Sequence, residues 1–176
     1  MELKELLHVR RSVRKFEDRP VEREVVEQLL KEAFTAPSSR NTRSTRYMVV
    51  EGREMMERIS QMRDYGAAFM KDCPMAIMVA GDESKTDLWV DNCSISATIL
   101  QLAVTDAGLG SCWVHINGRP QFKAEPEGKS AEEYLREFLP IPAEWRPLCF
   151  IALGYPAQEV APHSEKDDSD KVIWVK

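Results

Sequence analysis

The stretch Arg10-Arg11-Ser12-Val13-Arg14-Lys15-Phe16 gathers three arginines, a lysine and a hydroxyl at the end of a short apolar-periodic segment. Guanidinium forks, a point charge and an O–H together suit a phosphate monoester, because bonds to ionised oxygens are charge-assisted. A basic run can equally be a solvated face, so its reading depends on the residues that accompany it. Metal and thiol chemistry have less to draw on. Cys73, Cys93, Cys112 and Cys149 lie far apart in apolar surroundings without Cys-x-x-Cys spacing, and His8, His115 and His163 are equally scattered. The cysteines are expected as reduced core residues, and no metal is expected.

Three later segments give the basic run its context: Ala36-Pro37-Ser38-Ser39-Arg40-Asn41, Gly108-Leu109-Gly110-Ser111-Cys112-Trp113 and Ala152-Leu153-Gly154-Tyr155-Pro156. Taken in this order, the four segments resemble the nitroreductase family of FMN-dependent NAD(P)H oxidoreductases over nearly the whole chain. The resemblance implies an α+β fold, a mostly antiparallel sheet flanked by helices, assembled as an intertwined homodimer with FMN at the subunit interface. It also implies tightly bound, non-covalent FMN and NAD(P)H as co-substrate. Hydride would pass through flavin N5 to a nitroaromatic, quinone or similar small-molecule acceptor in a ping-pong cycle. A flavin-binding module without turnover is the alternative.

By the same resemblance, Arg10, Ser12 and Arg14 bind the FMN phosphate and ribityl chain, with Arg11 beside them. Pro37, Ser38 and Ser39 come from the other subunit and lie along the ring, and Asn41 gives it amide contacts. Trp113, Val114, His115 and Ile116 form the segment whose main-chain N–H groups face flavin N5 and O4, where donors stabilise charge building on the reduced ring. His115 is also a candidate proton donor, since imidazole titrates near neutrality. The competing reading is a strand histidine that matters through its backbone. Two features depart from the family pattern. Thr42-Arg43-Ser44-Thr45-Arg46 brings two arginines where the family often has Ser-Gln-Pro-Trp, a change that suits anionic substrates or the 2′-phosphate of NADPH. The late basic residue that completes phosphate binding is not evident, and His163 and Lys166 are the candidates.

Elements must hold these groups in place, and 176 residues with 43% hydrophobic and 30% charged content suffice for one core. A single domain, 1–176, is expected; the segment 155–176 packs on its own subunit or, as the resemblance implies, is a C-terminal arm docking on the partner subunit. The arm ends in Val172-Ile173-Trp174-Val175, a group that loses about 1.5 to 3 kcal/mol for each large side chain left in water instead of buried. A net charge of -5 argues against a nucleic-acid binder. There is no run of roughly 18 apolar residues and no basic-then-apolar order at Met1-Glu2-Leu3-Lys4-Glu5, so the expectation is no membrane and a cytoplasmic location.

Apolar spacing predicts a short helix around Leu3, Leu6 and Leu7, a helix from Pro20 to Phe34, another from Arg53 to Met62, and a central buried helix from Trp89 to Ala107 capped by Gly108. A polar helix is predicted from Ala131 to Phe138. Strands are expected at Tyr47–Val50, Met75–Ala80, Ser111–Ile116 and Leu148–Leu153, with an irregular loop from Asn117 to Lys129 that holds two prolines and two glycines. No Gly-x-Gly-x-x-Gly follows a strand, which disfavours the dinucleotide fold of ordinary dehydrogenases.

Overall fold

The computed structural model describes residues 1–164 and 166–175; Glu165 and Lys176 of the expected arm lie outside the described residues. Among the described residues, five α-helices and four strands follow one another. They are α1 (Leu3–Val9), α2 (Arg23–Ala33), β1 (Thr45–Glu51), α3 (Arg53–Ser60), β2 (Met75–Asp82), α4 (Trp89–Asp106), β3 (Gly110–His115), α5 (Ala131–Arg136) and β4 (Trp145–Gly154). Single 3-10 turns occur at Ser39–Asn41, Ala68–Asp72 and Ser169–Lys171. The strands make one sheet in the order β1-β2-β4-β3, and every neighbouring pair is antiparallel. The expected α+β architecture is therefore present, with helices on both sheet faces.

Strand β2 is buried along its whole length, because both of its faces are covered. Ile77 and Val79 pack with Val26, Leu29, Cys93 and Leu100 of α2 and α4. Ala76, Met78 and Ala80 turn the other way, toward Met56, Ile59 and Leu135 of α3 and α5. Helix α4 differs from the expectation of burial all round. Cys93, Ala97, Leu100 and Val104 are buried against the sheet, whereas Ile95 on the far side is 41% exposed. All four cysteines are buried and free, as their apolar surroundings suggest. Burial pushes the thiols of Cys73 and Cys93 up to about 12. Among the described residues no helix is long and apolar enough to cross a membrane.

Local chemistry explains where the elements begin and end. Helix α2 starts after Pro20, with Glu22 in the N-cap position, because Val21 is used to fill the core beside Val26. Helix α4 closes as expected at Gly108. That residue adopts φ +75°, its N–H donates to the Thr105 carbonyl, and the Leu109 N–H donates to that of Val104, each at 3.0 Å. This pair of bonds is a Schellman closure, and it aims the chain directly into β3. Strand β4 begins at Trp145, earlier than its apolar run, and passes through Pro147. Proline cannot donate to the ladder, and the register shifts between Val79 and Ala80, where Pro147 stands opposite Ala80. Ser130 and Glu133 form a reciprocal capping box that starts α5.

Candidate functional site

After α1 ends, the chain runs beside β3 on the outer edge of the sheet. The Val13 N–H donates to the Ser111 carbonyl at 2.8 Å, and Ser12 bridges Ser111 in parallel. Gly110 makes this approach possible, since a Cβ there would stand 2.8 Å from the Val13 Cβ. Val13 is buried, so the extended alternation turns Ser12 and Arg14 outward, where both are exposed. Cys112 lies beneath them, near Ser12, Arg10 and Arg14, and its burial raises the thiol above its ordinary value.

The first part of the C-terminal segment folds over the same place. Tyr155 donates to Glu22 at 2.6 Å and carries the Arg19 guanidinium 3.7 Å above its ring. Tyr155, backed by a main-chain bond and by Arg19, holds the Glu22 carboxyl down at about 2. Further on, the Arg11 guanidinium donates to the carbonyls of Ala161 and Pro162, and the His163 N–H donates to the His8 carbonyl at 2.9 Å. The His163 Nε2 is 3.3 Å from Arg10 Nη2. Lys166 lines the same shallow pocket as Arg11 and His163. The two late residues named from the sequence thus lie beside the basic run.

Farther along the β3 edge come Trp113 and His115. The Ile116 and Asn117 N–H groups both donate to the Leu148 carbonyl, at 2.8 and 3.1 Å, while Ser111 faces the basic run. Antiparallel alternation therefore turns the N–H groups of Trp113 and His115 to the open edge and commits those of Val114 and Ile116 to β4. The Trp113 indole donates to His115 Nδ1 at 3.3 Å, and the two rings stack with an interplanar angle of 13°. Burial, then the charges of Arg119 and Arg63, hold the His115 ring below the ordinary imidazole value, with the Asn117 main chain acting the other way. A neutral ring that accepts at Nδ1 is a poor proton donor near neutrality.

Pro37, Ser38, Ser39 and Asn41 lie elsewhere, just before β1 at the opposite edge of the sheet. Three strand spacings separate β1 from β3, about 14 Å. The loop is held in an unusual shape, since Arg40, Asn41 and Arg43 all adopt positive φ, at 51°, 54° and 46°. Such conformations cost of order 1 kcal/mol or more each and persist where neighbours fix them. Asn92 of α4, 2% exposed, does so. Its Oδ1 accepts from the Ser39 N–H at 2.8 Å and its Nδ2 donates to Ser44 Oγ at 2.9 Å. Ser38 Oγ accepts from the Arg43 N–H at 2.9 Å. Asn92 belongs to none of the four motifs; its signal in the sequence is a polar residue next to Cys93 on the apolar stripe of α4.

The two extra arginines of this loop divide. Arg46 is bound to Asp82 at 3.0 Å and to the carbonyls of Arg43 and Thr45, so its charge is spent within the chain. Arg43 and Arg40 are exposed beside the Ser38 turn. Next to them runs an apolar groove along β1, lined by Leu30, Phe34, Tyr47, Val49 and Trp145.

Among the described residues no group of three His, Cys, Asp or Glu side chains converges as a metal site. Residues 7–62 and 54–155 match the nitroreductase family. The chain is 36% identical over 161 residues to a Methanothermobacter thermautotrophicus protein carrying the name NADH dehydrogenase/NAD(P)H nitroreductase, a match spanning 90% of this chain and 79% of that protein. An FMN-dependent nitroreductase from Clostridium difficile R20291 is 35% identical in its solved structure, with TM-score 0.89 over 97% of this chain and 98% of the other. A Desulfovibrio desulfuricans nitroreductase in complex with FMN, 20% identical and covering 100% of this chain and 98% of its own, shares the fold at TM-score 0.80. By sequence and by fold, the chain belongs to the nitroreductase family.

Proposed function

We propose that this protein is an FMN-dependent oxidoreductase that takes hydride from NAD(P)H and delivers it to a small acceptor such as a nitroaromatic or quinone. The observation that carries this reading is the alignment along one sheet edge of a basic run and free main-chain donors. The donor set fits FMN: the half-buried Arg10 guanidinium and the exposed Ser12 hydroxyl and Arg14 guanidinium suit a phosphate, and the N–H groups of Trp113 and His115 suit the polar rim of the ring. Bound there, the flavin supplies a hydride acceptor and donor, and the protein supplies binding, orientation and field. Arg10 and Arg14 hold the phosphate, Arg11 ties the 161–163 segment over it, and His163 and Lys166 line the rim. The same open face serves both substrates in turn, which gives ping-pong kinetics.

The site needs two chains. The loop assigned to the ring lies at the β1 edge, at least about 14 Å across the sheet from the β3 edge that carries the clamp, so we assign Pro37, Ser38, Ser39 and Asn41 to the site of a second copy in an intertwined homodimer. Support comes from apolar surface that one chain leaves uncovered. Ile173 and Trp174 are 88% and 85% exposed, Ile95 of α4 is open, and the β1 groove has no neighbour among the described residues. In this reading 1–176 is one domain whose arm, 155–176, packs on its own chain through about Pro162 and Ser164 and then crosses to the partner. We place the protein in the cytoplasm, where NAD(P)H is available.

An absorption spectrum of the purified protein tests the cofactor, and NAD(P)H consumption with a quinone tests turnover. Flavin bands near stoichiometric content with acceptor-dependent consumption are expected. A colourless protein defeats the reading, and a yellow protein without consumption reduces it to a flavin-binding module.

A further inference from the structure

The loop between α3 and β2 buries a charge. Arg63 is 9% exposed, yet its guanidinium meets main-chain carbonyls and an aromatic ring instead of an acid. Nε and Nη2 donate to the Tyr65 carbonyl at 3.2 and 3.0 Å, and Nη1 donates to the His115 carbonyl at 2.8 Å. The Tyr65 ring lies 4.6 Å from the guanidinium carbon. Asp64, the adjoining acid, is exposed, and its carboxylate accepts the Lys123 N–H at 3.0 Å. Gly66 leaves the room, because a Cβ there would stand 2.8 Å from Nη2. A buried cation without an ionised partner is costly, and arginine keeps its proton instead of escaping by titration. Its positive field is therefore imposed on the nearest polarisable group.

That group is the open edge of β3. Strand alternation turns the His115 carbonyl to the same open edge as its N–H, so the bond to that carbonyl puts the guanidinium at this edge beside the free N–H groups, and Arg119 adds a second positive charge from the following loop. We propose that Arg63 is a positioning residue of the flavin site whose buried positive charge favours the reduced, more negative ring over the oxidised one. This rests on the FMN reading given above. The carbonyl bonds anchor the arginine, while the charge does the work, so charge and bonding can be separated by substitution.

The test is the two-electron midpoint potential of bound FMN in wild type, Arg63→Gln and Arg63→Lys, together with the His115 ring titration followed by NMR in protein stripped of flavin. Arg63→Gln removes the charge and is expected to make reduction on the order of tenfold less favourable, about 30 mV for two electrons. In the same variant the His115 ring titrates at higher pH than in wild type. Arg63→Lys keeps a cation but loses the fork, and its potential is expected to stay close to wild type. Equal potentials in wild type and Arg63→Gln overturn the proposal, as does Arg63→Lys falling as far as Arg63→Gln. If Arg63→Gln fails to fold, Arg63→Lys decides against wild type alone: a potential close to wild type supports the proposal, and a fall of about 30 mV overturns it. A wild type that binds no FMN defeats the functional reading instead, and the His115 titration in the apo protein still reports whether the Arg63 charge reaches the edge.

Discussion

The two edges of the sheet solve opposite problems. At the β3 edge the chain completes its own structure: Val13 is tied to Ser111, Arg11 is tied to the 161–163 segment, and charges and donors point outward. At the β1 edge the chain holds a strained loop from below through Asn92 and leaves an apolar groove beside it uncovered. One edge supplies charge and the other supplies shape. In a single chain they are separated by the width of the sheet, so a ligand that needs both recruits a second copy, and cofactor affinity becomes coupled to assembly.

The largest effect is expected where the charge is concentrated. Replacing Arg10 and Arg14 together by alanine leaves the fold intact, because Val13 supplies the buried contact between them. Each charge-assisted bond is worth about 1.5 to 3 kcal/mol, so FMN affinity should fall roughly a hundredfold to ten-thousandfold in the double variant. Fluorescence titration of the apo protein with FMN measures this, and stoichiometric flavin retained after dialysis contradicts the clamp.

Removing the tail from Val172 onward attacks the other edge. The four apolar residues from Val172 to Val175 are 55 to 92% exposed on their own chain. Burying them on a partner and ordering the arm should leave a net of about 3 kcal/mol, or roughly a hundredfold in dimer affinity. Flavin should dissociate along with the dimer, although no residue of the clamp has changed. Sedimentation at several concentrations, with absorbance read at the flavin band, checks both. A flavin-loaded monomer breaks the comparison between the edges.

Asn92→Ala sharpens the comparison by loosening the strained loop alone. It leaves the Ser39 N–H and Ser44 hydroxyl without their buried partner. A loss of about 2 kcal/mol is expected, or roughly 4 to 8 °C in Tm. FMN affinity should fall less than in the double arginine variant, since the loop contributes shape instead of charge.

How much of this was legible in the sequence follows from the range of the interactions. The basic run, the Gly108 cap and the four strands are local patterns, and each is present, with strand ends shifted by a few residues. Pro147 hides the start of β4, because its place in a strand depends on the Ala80 register shift, which only pairing reveals. Pro20 suggested a helix start that the chain defers to Glu22, because Val21 is worth more in the core. Ser130-x-x-Glu133 was readable as a capping box. Arg63 and Asn92 were not legible as site residues: an arginine in a polar loop and an asparagine in a helix acquire their roles from burial against residues 52 and 53 positions away.

The smallest effect is expected at His115, where the β3 edge offers two candidate groups on one residue. The ring accepts the Trp113 indole at Nδ1, and burial with the charges of Arg119 and Arg63 holds it below the ordinary imidazole value. The main-chain N–H, by contrast, is turned to the open edge by the strand alternation and is indifferent to pH. His115→Gln removes the ring and retains the N–H. A lost general acid would slow flavin reoxidation by a quinone about a hundredfold or more and move its pH profile. We expect a change within about threefold and a profile that stays flat from roughly pH 7.5 to 8.5, about one unit and more above the ordinary imidazole value. The sign is fixed by the direction of the shift: a ring held below its ordinary value is already neutral there, so raising pH removes no proton that the reaction uses. Stopped-flow reoxidation of wild type and His115→Gln across that window separates the two groups. A large, pH-dependent loss would return the ring to the chemistry and make the β3 edge a proton donor as well as a binding surface.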